Sequence, residues 1–242
     1  MPITAANLTA SGDTTDGTSY TTASISPAAN TLILAFINNI DLTTAGTVTL
    51  SGNSLTWVEV DTRTFGGENR QTVFRAMGSS PSSGAVTITI TGAVSNLLCT
   101  WTIDQLSGTD TSGTNGSGAI VQFLSDGVFP ATTLTITLAA FSDTANATHG
   151  FWYQNGDTGM TAGSGFTELS DTSINDAVLG LRGVMSEFRS DNDTTVDASR
   201  ATSAGIVGYG IEIKASALSV AQTIPGIEQL RESGGFIGQR WV

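Results

Sequence analysis

Apolar residues along this chain come in short runs, and Gly, Asn, Asp, Ser or Pro cuts one run from the next. The runs include "NTLILAFINN", "GTVTLSG", "SLTWVEVDT", "RQTVFRAM", "GAVTITITG", "NLLCTWTIDQLSG", "TTLTITLAA", "NATHGFWYQN", "LGLRGVMSEFRS" and "AGIVGYGIEIKAS". Segments of this length, punctuated by turn residues, predict the strands of a sandwich or barrel. No stretch keeps a helical period over three turns, so the expected class is all-β.

The runs also repeat. "ANTLILAFINN" from Ala29 matches "ANATHGFWYQN" from Ala145, an offset of 116. "VEVDT" at Val58 then meets "ELSDT" at Glu168, and "VFRA" at Val73 meets "EFRS" at Glu187 with an offset of 114. "TITIT" at Thr87 falls on "TVDAS" at Thr195, and "WTIDQL" at Trp101 on "YGIEIK" at Tyr209, both with an offset of 108. Five matches in one order predict two structural copies, about 20–110 and 130–217. Each copy is small for a stable sandwich of its own. The expectation is therefore one jelly-roll-like β-sandwich over 1–217, built from two similar sequence halves and followed by an extended C-terminal arm, 218–242. Two small sandwiches joined by "SGTDTSGTNGSGA" from Ser107 to Ala119 are the alternative.

Charge narrows the partners. The net charge is −12, and nine Lys and Arg residues in 242 make no broad positive track, which argues against nucleic acid and anionic membrane. Cys99, the one cysteine, sits in the apolar run "NLLCTW", so no internal disulfide is expected and a buried thiol is. "MPITAANLTASGD" has no basic and apolar leader pattern, and no run has the length of a membrane span. A soluble protein without a visible export signal is expected, and the sequons at Asn7, Asn115, Asn146 and Asn192 read as chance in a Thr-rich chain.

Candidate chemistry is thin. The single histidine, His149, lies in the strand run "ATHGFWY" and reads as structural rather than as a catalytic base. Asp104 and Glu212 occupy matching places and would suit a glycan-cleaving carboxylate pair, but alternation with Trp101, Ile103, Tyr209 and Ile211 puts them on a solvated outer face. "SDNDTTVD" brings Asp191, Asp193 and Asp197 into and just after a loop, a weak calcium candidate without the spacing of an EF-hand. "GTNGSG" has neither the Lys nor the following helix of a phosphate cradle. In "GFWYQNGD", an outward Trp152 would give a carbohydrate-binding module its stacking platform, whereas alignment with Phe36 favours the core.

The arm differs from the body. Its two acidic and two basic residues cancel, so the body carries all of the −12. "GIEQLRES" reads as one or two helical turns, and "FIGQRWV" as an extended apolar end. Phe236, Ile237 and Trp241 are the expected anchors in a partner, with Arg240 pairing at the rim.

"GFTELSDT", "EFRS", "DTTVDAS" and "GYGIEIKAS", with "TWTIDQLSGTDTSG", resemble β-sandwich domains of tailed-phage and prophage structural proteins. The resemblance covers the body and implies a non-enzymatic virion role, in head decoration or a fibre-like appendage. It implies self-association on a symmetric lattice with partners such as the major capsid protein, on a virion surface assembled in the host cytoplasm. A sugar-binding module for adhesion or receptor binding is the runner-up, ahead of a glycan-cleaving enzyme.

Overall fold

A computed structural model describes residues 2–93, 96–156 and 159–217. Eight strands form the first half: β1 (Thr4–Asp13), β2 (Ser19–Thr21), β3 (Leu32–Asp41), β4 (Thr47–Ser51), β5 (Val58–Phe65), β6 (Asn69–Ala76), β7 (Thr87–Thr91) and β8 (Asn96–Ser107). They pair antiparallel as a large sheet, β1-β8-β3-β6-β5, and a small one, β2-β7-β4. First pairs with last, second with seventh and third with sixth. That is a long hairpin rolled over itself, the connectivity of a jelly roll.

The second half repeats the roll with β9 (Ile120–Thr137), β10 (Ala147–Asn155), β11 (Thr161–Ala162), β12 (Thr167–Asp176), β13 (Gly180–Arg189) and β14 (Thr195–Ile213). Here β9 and β14 each serve as two strands. Residues 206–213 of β14 pair with 120–128 of β9 in a large sheet, β9-β14-β10-β13-β12, while 195–199 pair with 133–137 and with β11 in a small one. The register shifts between Ser199 and Ala204, where the ribbon bends from one sheet to the other.

Four layers result, with the two large sheets facing each other and a small sheet outside each. Each half thus contributes eight strand segments and closes a sandwich of its own, although each copy was read as small for one. The central core joins Leu34, Phe36 and Val73 to Phe151, Tyr153, Val184 and Tyr209. Tyr20, Ile33, Ile37, Ile88 and Trp101 fill the first outer core, and Leu134, Ile136, Trp152, Met185 and Val196 the second. Every residue of β3, "LILAFINNID", is buried because its sheet is covered on both faces, which is why the run does not alternate.

Strand order runs oppositely in the two facing sheets, with β1 against β12 and β5 bonded across to β9, as an approximate two-fold rotation requires. Phe36 stacks on Phe151 near its centre, ring centroids 5.3 Å apart. The sequence match is out of phase with this symmetry: Phe36 faces the central core, but its aligned residue, Trp152, faces the second outer core.

Trp152 also explains a glycine. A Cβ on Gly208 would sit 2.2 Å from the Trp152 ring, so the site needs empty space rather than an unusual backbone. Gly208→Ala should lower stability by about 1–3 kcal/mol through overpacking, measured by urea unfolding. An unchanged midpoint would mean that the ring has room to move.

Candidate functional site

The buried ionisable groups come first, because two of them were expected in solvent. Asp104 and Glu212 are 0% and 1% exposed, which corrects that expectation. Alternation does turn Asp104 away from Trp101 and Ile103, but the face it reaches is the central interface. His149, also fully buried, is placed opposite by β10, and its Nε2 lies 3.0 Å from Asp104 Oδ2. Asn7 Nδ2 donates to Asp104 Oδ1 at 2.8 Å and to Thr102 Oγ1 at 2.9 Å. Thr102, Ser170 and Ser186 link their hydroxyls across the same interface. His149 Nδ1 has no hydrogen-bond partner. Histidine and carboxylate are thus together inside a packed core, both fully buried, with the Ser170 hydroxyl partly exposed at its margin.

Glu212 lies on the other face of its sheet, beside Gln122 near the start of β9. Asn146 Nδ2 and Gln122 Nε2 each donate to its carboxylate at 2.6 Å. Some 108 positions apart and facing different layers, Asp104 and Glu212 do not face each other across a groove.

Glu187 went unnoticed in the sequence. It is fully buried in the second outer core, where Trp152 Nε1 donates to Oε1 at 2.8 Å and Gly163 N to Oε2 at 2.9 Å. Burial pushes its carboxyl up to about 7 against the pull of those two donors, and Asp197 and Glu168 push the same way. Its sequence signal was a Glu in the apolar run "GVMSEF", aligned with Val73. Trp152 is 0% exposed, so the sugar-platform reading is corrected: its ring is a wall of this core.

Arg189 holds Asp191 with Nε and Nη2, and Asp193 with Nη1 at 2.6 Å. The guanidinium keeps the Asp191 carboxyl below its ordinary range. Asp193 also accepts from the Thr195 amide, and a Cβ on Gly163 would sit 2.9 Å from Asp197 Oδ1. Arg189 therefore supplies the cation for two of the three carboxylates considered for calcium, and no metal-like group of acidic, His and Cys side chains occurs among the described residues. Cys99 is buried, which pushes its thiol far up.

The surface has one unusual strip. Of the six exposed large hydrophobics among the described residues, Val121, Phe123, Leu124 and Phe129 lie on β9. Phe123 turns toward the first half, where a groove of about 220 Å³ is lined by Glu59, Val60, Arg75, Ser117, Ile120 and Phe123. Leu124 is on the opposite face, paired with Gly210. Phe236, Ile237, Arg240 and Trp241 lie outside the described residues. The class defined by these observations is an all-β protein of stacked jelly-roll sandwiches. Compared with family models, curated proteins and solved structures, the chain matches none.

Proposed function

We propose that this chain is a non-enzymatic structural protein of a tailed-phage virion, a head-decoration or other outer-surface component. It associates with copies of itself and with virion proteins such as the major capsid protein, after synthesis in the host cytoplasm. The arm, 218–242, makes the attachment, with Phe236, Ile237 and Trp241 as anchors and Arg240 at the rim. One observation carries the assembly reading: exposed apolar side chains concentrate on a single strand, β9, instead of scattering. The virion setting comes from the likeness in strand endings. In support, the groups that chemistry would need are inside the body and partnered there, and the acidic surface repels its like, leaving neutral apolar contacts to hold copies together.

The test is composition of particles. Particles of a phage whose genome encodes this chain, banded by density, should contain it at a fixed ratio to the major capsid protein. Antibody to the body should label their outside. Particles lacking the chain, or an antibody that labels cells and no particles, would overturn the virion reading.

A further inference from the structure

The two large sheets end in four free edges, and three of them are protected. β5 carries Glu59, Asp61 and Arg63, and β12 carries Glu168, Asp171 and Asp176. β1, the counterpart of the first part of β9, is small and polar, "TAANLTASGD". Charged and polar residues of this kind keep sheet edges from pairing with other chains. β9 has Asp126 as its one charged residue and pairs along one side alone among the described strands. It is also 18 residues long, where β1 has 10. The same roll has thus been given a protected edge in one half and an adhesive one in the other.

We infer that the β9 edge is the receptor for the arm of a second copy: the end segment "FIGQRWV", residues 236–242 of one molecule, adds as a strand beside residues 120–129 of its neighbour. This rests on the assembly reading above and adds the surface that receives the arm. Strand addition supplies main-chain hydrogen bonds along the free edge, and side chains on alternate faces enter pockets. Apolar residues on both faces of β9 suit "FIGQRWV", whose large side chains also fall on both faces of an extended strand. The arm is neutral while the body is acidic, so it approaches β9 without the repulsion that two bodies meet. Glu59 in the groove is the carboxylate at hand for Arg240.

Chain length selects the second copy. Ala217 lines a depression with Asp143 and Lys214, and those two residues also line the next depression with Ile120 and Val121. The arm therefore leaves the body beside the start of its own β9. Eighteen residues lie between Ala217 and Phe236, a reach of about 48 Å with "GIEQLRES" helical and the rest extended. That is more than the molecule's own edge requires, and it matches the breadth of a body whose radius of gyration is about 17 Å.

Full-length variants decide the matter by complementation. Ile237→Asp/Trp241→Asp breaks the arm and leaves the edge. Phe123→Asp/Leu124→Asp breaks the edge and leaves the arm, with Val121→Thr/Leu124→Ser as a milder version should the first misfold by circular dichroism. Sedimentation velocity should show the wild type associating, each variant alone at least about tenfold weaker, and an equimolar mixture of the two recovering a pair. A silent mixture of folded variants overturns the receptor assignment, yet keeps the arm reading if the arm variant alone has dissociated. Loss of association in the edge variant but not in the arm variant overturns both in favour of edge-to-edge pairing. A monomeric wild type whose amides 120–129 exchange slowly, and quickly in the arm variant, shows each arm on its own body and overturns the exchange.

Discussion

Asp104→Ala should cost about 3–5 kcal/mol of unfolding free energy, the range for removing one member of a buried pair. His149 would keep a polar ring in the central core with neither nitrogen satisfied, and Asn7 would lose its acceptor at 2.8 Å. His149→Ala should fall in the same range, because it leaves Asp104 with Asn7 as its single side-chain partner. Replacing both with leucine should recover most of the loss, since well-packed apolar substitutes for a buried pair are often neutral or better. Urea titrations of the four proteins give the coupling directly. If the single variants each lose under about 1 kcal/mol, the pair is not holding the halves together.

Stability should fall as pH rises from about 5 to 8, with Glu187 as the main cause. Its carboxyl is raised from an ordinary 4.5 to about 7 in the folded protein, so folding binds a proton within that window. The stabilisation is complete below about pH 4.5 and is lost as pH rises through 7, a swing of about 3 kcal/mol. Asp110 works the other way at lower pH. Its carboxyl is held down to about 2, first by its hydrogen bond to Lys214 and then by those from Ser112, so its contribution is present above the ordinary carboxylate range and is lost toward pH 2. A maximum near pH 5 follows. Glu187→Gln should flatten the decline between 5 and 8, and a slope that persists unchanged in that variant would assign the titration to another group.

The strands of the central sheets were legible because their apolar runs are long. Two edge segments were not: β1 and residues 120–128 mix exposed and covered positions, so neither "TAANLTASGD" nor "IVQFLSDGV" yields a clean period. Alternation was read correctly at Asp104 and Glu212, but its meaning was wrong. In a two-layer protein the face away from the core is solvent, and here each large sheet has a core on both sides. The same property hid the phase of the repeat, since strands apolar on both faces match equally well one residue out of step. The Asp104–His149 pair joins residues 45 positions apart in different halves, so no local pattern announces it. The strip on β9 did have a signal, four large apolar residues within nine positions, but no alternation marked it as surface.

The approximate two-fold between the halves has a consequence for what this chain can do that a pair of separate identical rolls cannot. In a true homodimer, whatever one sheet carries off the axis, the other must carry too, so an aspartate facing a histidine would occur twice or not at all. Covalent linkage removes that constraint. One polar lock at the centre, one quiet edge and one adhesive edge are each single-copy features on a body that is otherwise doubled. Under the proposed docking of one molecule's arm on the β9 edge of the next, assembly would have a direction: each molecule would offer one donor and one acceptor, and copies would join head to tail, closing into a ring only where the rotation from one to the next divides a full turn.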